Sequence, residues 1–502
     1  MTATPTRLAP VVRCGGPLAD PPLSGVTIGR PEAPDLSALV AAGLLEQLGA
    51  TVVEATGLPI ARLVGEVPDG IAGLPPGTVP YACGIATAAA AVLAHISDAD
   101  VEVDGREIAV QVLLPAVLAA EYGTRHREPP PPRRIGDGAL ACDLATDDDE
   151  AAFARLLEVL GPEASARTIA DEAQIWRLPV CEYVRRDDTD RAPHDSGATT
   201  TVTGSTAGTA RGRATGGCPP LDGITVCDLT AMWAGPLSTW LLAGAGATVH
   251  KIEPRVRIDG MRGLDGGGIH PPDVDPATGS ASAMFNALNR QKTCHDLDLR
   301  DPDDRAAFFA LVATSDLVVD SFSRRVMPNL GLSPEALRAA HPGIATLSIP
   351  AFPEGHAWQV ALGPAVHAAT GLGDLGAGRF ATPTVAYPDP LAGLTAFVVA
   401  TALIVGARRG LRSEHAEVTL FDATTPLTRI APPEPIPQAD APLQAREPEI
   451  GRRLLDEPAL ASAWEPVDDG AGRHRYPRHP FRGAWTPVTA APAPALGSAG
   501  RR

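Results

Sequence analysis

The stretch Leu221–Glu253, LDGITVCDLTAMWAGPLSTWLLAGAGATVHKIE, leaves little choice in what it folds into. Apolar residues over Ile224–Leu229 predict a strand, and Ala234-Gly235-Pro236 a tight turn into a helix. Gly246-Ala247 stops that helix, and Thr248–Ile252 reads as a second strand. Pro236 suits the first helical position, where a missing N–H costs nothing. Two apolar strands joined by one crossover helix form a βαβ unit, the seed of a parallel sheet. The glycines exclude a dinucleotide fingerprint. That motif needs them between strand and helix, where backbone approaches a pyrophosphate, whereas Gly244-Ala245-Gly246-Ala247 closes the helix here.

A chain of 502 residues has room for two or more domains, and 44% hydrophobic residues supply their cores. Its 51 prolines, 50 glycines and 4% aromatic content predict many loops around lean Ala, Leu and Val packing. A net charge of −17 argues against nucleic acid or an anionic membrane as partner, while leaving room for a local basic pocket for a phosphate-bearing ligand. The seven cysteines lack paired metal-ligand spacing and sit mostly in apolar runs, which reads as buried thiols in a reduced compartment and no metal site. No basic-then-apolar leader opens the sequence, and apolar runs such as Leu394–Ala407 read as too short and broken for a bilayer. The expectation is a soluble cytoplasmic protein.

The opening stretch has an echo in residues 1–134. Leu23-Ser24-Gly25-Val26-Thr27 parallels Leu221-Asp222-Gly223-Ile224-Thr225, and Gly49-Ala50-Thr51-Val52 parallels Gly246-Ala247-Thr248-Val249. Val79-Pro80-Tyr81-Ala82-Cys83 and its Ala-rich helix parallel Val385-Ala386-Tyr387-Pro388-Asp389, which sets Cys83 opposite Asp389. Residues 135–188 read as a small α/β domain with a strand over Ala139–Leu144 and a capping box from Asp147 to Glu150. Residues 189–217, rich in Thr, Gly, Ser and Ala, read as a flexible linker. Residues 218–430 continue as alternating strands and helices, the signature of an open, doubly wound parallel sheet. Residues 431–475 read as a loosely ordered, Pro- and charge-rich connection, and 476–502 as a tail.

Residues 221–423 resemble the family III CoA-transferases, the group that includes the α-methylacyl-CoA racemases. The resemblance rests on Asp228-Leu229-Thr230, Ala234-Gly235-Pro236, Lys251-Ile252-Glu253-Pro254, Asn289-Arg290-Gln291-Lys292, Val318-Val319-Asp320-Ser321-Phe322 and Tyr387-Pro388-Asp389-Pro390. It implies a Rossmann-like sheet with a smaller α/β domain, acyl-CoA and carboxylic acid substrates, and no prosthetic group. It makes Asp389 the nucleophile that attacks the thioester, giving an anhydride and then an aspartyl-CoA thioester. The bland reading of Asp389 is an ordinary N-capping residue. The same resemblance puts Met232, Trp233, Arg262, Lys292, Ser321 and Phe322 around CoA, with Lys292 and Arg262 suited to its phosphates. Lys292 and Lys251 are the sole lysines in the chain.

The family's racemases carry a histidine where this chain has Leu362, with His367 nearby, so racemisation is the second reading; an inactive CoA-binding protein is the third. Family members form interlocked dimers whose sites lie between one subunit's large domain and its partner's small one. The repeat then reads as two trimmed subunits fused into an intramolecular pseudo-dimer with one site at Asp389, the first copy being degenerate; a homodimer is the alternative.

Overall fold

A computed structural model describes residues 9–10, 12–15, 21–30, 35–54, 61–65, 74–125, 129–144, 146–188, 217–263, 269–270, 282–356, 360–411, 415–430, 447–489 and 491–499. Its centre is a seven-stranded sheet in the order Arg13–Gly15, His415–Glu417, Ala345–Ser348, Leu317–Asp320, Thr225–Leu229, Thr248–Ile252, Thr293–His295. Six strands run parallel, and Arg13–Gly15, from the far end of the chain, closes one edge antiparallel to His415–Glu417. The open parallel α/β sheet expected from the sequence is therefore present. The chain winds outward from Thr225–Leu229 in one direction, then returns to add Leu317–Asp320 on the other side. That reversal opens a crevice at the carboxyl ends of these two neighbours.

Caps written in the sequence set several boundaries. Asp301 accepts from the N–H groups of Asp303 and Asp304 and starts the helix Pro302–Val312, and Ser333 caps Pro334–Ala340. The helix Asp147–Leu160 starts one residue earlier than its acidic run suggests: Thr146 is the cap, in a box with Asp149. Glu417–Phe421, which reads as one strand, is the strand His415–Glu417 followed by the helix Leu420–Thr424, because Thr419 caps a new helix through Asp422.

Pro388–Arg408 and Thr78–Ser97 are long and apolar enough to cross a membrane, contrary to the sequence reading, and both are core helices. They pack on each other, and the first is also covered by Ala234–Gly244, which explains why it is apolar on every face. One apolar cluster runs from Ala9 to Trp485 through both halves of the chain.

The opening strand–helix–strand units of the two halves share several bonds. Thr27–Arg30 pairs in parallel with Thr51–Glu54 as Thr225–Leu229 does with Thr248–Ile252. Leu23 N donates to Leu48 O at 2.8 Å and Leu221 N to Ala245 O at 2.9 Å; Thr51 N donates to Val26 O and Thr248 N to Ile224 O, both at 2.8 Å. Gly49 and Gly246 take the same left-handed turn, where an added Cβ would meet Pro21 at 2.4 Å and Pro219 at 2.5 Å.

The long helices reset one correspondence. Gly84 lies against Ser37 O and Val40 Cβ, and Gly393 against Ala234 O and Leu237 Cβ. These are the matching helix-on-helix contacts, so Gly84 answers Gly393 and Pro80, not Cys83, lies opposite Asp389. Cys83 is buried, with its thiol toward Gly105 O.

Residues 133–188 fold as a separate lobe: an antiparallel sheet of Arg133–Ile135, Gly138–Cys142 and Val180–Glu182 under the helices Asp147–Leu160 and Ala166–Ile175. Residues 447–489 form regular elements, where the sequence reads 431–475 as a loose connection. The helix Glu447–Leu455 packs on Leu114–Glu121, a hairpin joins Trp464–Asp468 to Arg473–Pro477, and Phe481–Arg482 adds a strand to Val101–Asp104. Buried Leu460, Trp464, Tyr476 and Phe481 hold this segment down despite its prolines and charges. The linker 189–216, and residues 431–446, lie outside the described residues.

Candidate active site

Asp389 lies in the first turn of Pro388–Arg408 and is 8% exposed. It does not cap its own helix, as the bland reading of it required: Tyr387 holds that position without a side-chain bond. Its carboxyl leans instead on the start of the short helix Gly363–Ala369. An added Cβ at Gly363 would come within 2.2 Å of Asp389 Oδ2, so only glycine leaves room for the carboxylate, and the Gly363 N–H donates to it.

The same turn receives a second acid, from the lobe. Asp143, just past the strand Gly138–Cys142 and 7% exposed, accepts from Leu362 N at 3.3 Å and Ala365 N at 3.0 Å. Burial pushes Asp389 up to about 7, with the nearby Asp143 charge acting in the same direction. Burial also lifts Asp143 to about 7, against the pull of its two backbone donors.

The lobe is clasped to this region by several further bonds. Gln174 exchanges two 2.9 Å hydrogen bonds with the Val360 backbone, and Val184 N donates to Ala368 O at 3.1 Å. Tyr183 and Thr382 join hydroxyls at 2.9 Å.

The crevice of the sheet is one helical turn away. Gly393 on the Asp389 helix touches Ala234 O, the end of the turn that follows Thr225–Leu229. Three of the residues expected around CoA meet in that turn. Met232 adopts φ +70° and its N–H donates to Asp259 Oδ1 at 3.0 Å. Trp233 is buried, its indole N–H without a partner among the described residues. Ser321, at the end of Leu317–Asp320, accepts from Ala231 N at 3.0 Å and so ties the two sides of the crevice together. Phe322 is half-buried and packs against the apolar cluster of Leu229, Val318 and Met327.

The two basic residues expected at the CoA phosphates are bonded to carboxylates. Lys292 is buried, and its ammonium spends its protons on Asp228 Oδ2 at 3.0 Å, Thr239 Oγ1 at 2.8 Å, Asn289 Oδ1 at 2.9 Å and Pro236 O at 3.1 Å. Lys251 likewise pairs with Asp259 and donates to Thr230 O at 2.8 Å. With two ammonium groups nearby, the Asp228 carboxyl is held below its ordinary range. Arg262 makes a two-point pair with Glu253, at 2.7 and 3.0 Å, and stacks 3.6 Å above the Phe285 ring. These bonds tie Lys292, Lys251 and Arg262 to the carboxylates Asp228, Asp259 and Glu253 around the turn.

The candidate bases for racemisation are similarly placed. Leu362 precedes Gly363–Ala369 and carries no proton-transferring group. His367 is buried and drawn down to about 4, with one ring nitrogen at 2.8 Å from Tyr387 Oη and the other at 3.1 Å from Ala381 O.

Asp143 and Gly363 escape a reading of the sequence. The one hint is an acid ending the apolar run Ala139–Cys142, where an alternating pattern asks for nothing charged.

Comparison with known proteins finds partial matches. The sequence pattern of CoA-transferase family III matches residues 221–455. The succinate–glutarate CoA-transferase of Agrobacterium fabrum is 30% identical over 214 residues, covering 41% of this chain and 52% of that one. The acetyl-CoA:oxalate CoA-transferase of Acetobacter aceti is 31% identical over 216 residues, with the same shares. The chain thus spans about half the length of these relatives. A solved CAIB/BAIF family protein from Brucella suis is 29% identical, with a TM-score of 0.36 over 42% of this chain and 55% of that one. Residues 221–455, a little under half of the chain, thus carry the sequence pattern of CoA-transferase family III and are similar to these relatives.

Proposed function

We propose that this protein moves CoA from an acyl-CoA to a carboxylic acid through a covalent intermediate on Asp389. The observation that carries the reading is a buried carboxyl, free of any cation among the described residues, set one helical turn from the crevice at the sheet's reversal point. Open α/β sheets bind their ligands at such crevices. Ionised Asp389 attacks the thioester carbonyl; the C–S bond breaks and the thiolate leaves. The thiolate returns to the anhydride, the acyl group departs as its carboxylate, and an incoming carboxylate then collects the CoA. The Gly363 N–H, which already donates to the Asp389 carboxyl, is the donor at hand for the oxyanion that forms when the thiolate attacks the Asp389 carbonyl.

The relatives' names include succinate, glutarate and oxalate, so short dicarboxylates and their CoA thioesters are the first substrates to try. Incubation with succinyl-CoA, followed by mass spectrometry of the Asp389 peptide with and without hydroxylamine, tests the proposal. An adduct that is lost in Asp389→Ala supports it; CoA exchange that survives that substitution sinks it.

The seating of the lobe against the Asp389 turn and the bonds shared by the opening units of the two halves support the pseudo-dimer arrangement, with one site per chain. Racemisation lacks its histidine at Leu362, and His367 has both nitrogens engaged. Deuterium from solvent appearing at the α-carbon of a branched acyl-CoA would restore it.

A further inference from the structure

Resting on Asp389 as the acylated residue, we propose that Asp143 is its positioning residue: it braces the backbone turn that Asp389 leans on, and its charge governs when Asp389 releases its proton. The two carboxyls come from separate bodies, the lobe and the long core helix. They meet on one stretch of backbone, Asp143 on the N–H groups of Leu362 and Ala365, Asp389 on that of Gly363 between them. Leu362 has no side-chain acceptor of its own to cap this turn, so Asp143 supplies the cap from 219 residues away.

Docking alone does not call for an acid at this point, because Gln174, Val184 and Tyr183 already hold the lobe with neutral bonds. Two buried acids this close do not both ionise cheaply, and their titrations belong to the pair. No cation among the described residues pairs with either acid to relieve that cost.

The neighbouring titratable groups do not change charge near neutrality. Burial raises the Cys142 thiol to about 12 and lifts the hydroxyls of Tyr183 and Tyr387, while His367 is drawn down to about 4. Arg186 acts on His367 and Tyr387, and Arg133 and Glu150 act on Cys142. A seated, ionised Asp143 therefore keeps Asp389 protonated to a higher pH than burial alone does. The readiness of the nucleophile is tied to the docking of the lobe.

The test compares Asp143→Asn and Asp143→Ala in the full chain, reading the rate of Asp389 adduct formation from succinyl-CoA between pH 5 and pH 9. Asn keeps an acceptor for the two N–H groups and removes the charge. Its acid limb should move to lower pH by about one unit, with the rate above pH 8 close to wild type. Ala removes the brace as well and should slow labelling at least about tenfold at every pH, as a misplaced reacting group does. Rates and acid limbs that match wild type in both variants overturn the proposal.

Should these variants fail to fold, carboxyl carbon NMR of the wild type, with Asp389→Asn to assign the signals, reads the pair directly. Two coupled steps reaching neutrality support it. Independent titrations of both acids in the ordinary carboxylate range overturn it. That titration needs no substrate, so a wild type that forms no adduct but shows the coupled steps refutes the transferase reading and leaves the pairing standing.

Discussion

A carboxyl group in an apolar setting with no cation beside it is kept close to its neutral form, and among the described residues Asp389 is such a group. Its folded-state value, about 7, lies above the ordinary 3.8. The native chain therefore binds that proton more tightly than the unfolded chain does, a stabilisation complete below the ordinary value and lost as pH rises through about 7. Asp389→Asn is permanently neutral there. It should unfold at higher denaturant than wild type at pH 8, by on the order of 4 kcal/mol, and show little of that gain at pH 4. Adduct formation by the wild type needs the ionised form and should rise with pH through about 7. Lys292 presents the opposite case, since removing it leaves Asp228 buried without one of its two cations. Lys292→Ala should cost about 3–5 kcal/mol in equilibrium unfolding, through the fold and not through CoA affinity. A variant that stays fully stable and merely binds CoA more weakly would return Lys292 to the phosphate site.

At the scale of elements, the Asp389 helix is positioned by close contact and small residues. A methyl group at Gly393 would come within 2.7 Å of the Ala234 carbonyl, a backbone atom that cannot swing aside. Gly393→Ala should force Ala234–Gly244 and Pro388–Arg408 apart and lower stability by about 1–3 kcal/mol. It should also slow labelling of Asp389, one turn away. On the opposite side of the core, the Tyr81 hydroxyl in Thr78–Ser97 donates to Ala423 O at 2.9 Å, a bond between the two halves of the chain. Tyr81→Phe removes the donor and leaves a buried carbonyl, a loss of about 1 kcal/mol measurable by denaturant titration, with labelling unaffected.

For the whole molecule, the two halves share one apolar core, with Thr78–Ser97 covering a face of Pro388–Arg408 that would otherwise be bare. Under the pseudo-dimer reading the chain contains its own partner. Sedimentation should then report a mass near the 51.8 kDa of one chain, and exhaustive labelling should attach one acyl group per chain. Pro80, which has no nucleophile, stands where a second site would need its aspartate. A mass of twice that value, or two acyl groups per chain, would refute the arrangement.

The sequence by itself determined the kinds of elements and much of their order. The βαβ unit, the caps at Asp301 and Ser333 and the alternation through residue 349 all follow from short-range spacing, which sets local geometry directly. The family resemblance carried by its motifs is what pointed to Asp389 and to the turn at Met232–Trp233. The tertiary structure alone decided what the charges do. Lys292 and Arg262 occupy positions whose chemistry suits a phosphate, yet the carboxylates of Asp228 and Glu253 lie within 3.0 Å and take their donors. The parallel of Val79–Cys83 with Val385–Asp389 favoured Cys83 as the counterpart of Asp389, whereas helix packing set the register at Gly84 and moved it to Pro80. Asp143 meets the Gly363 turn across more than two hundred residues. No local pattern encodes a contact of that range, since the energy that makes it arises when the lobe docks.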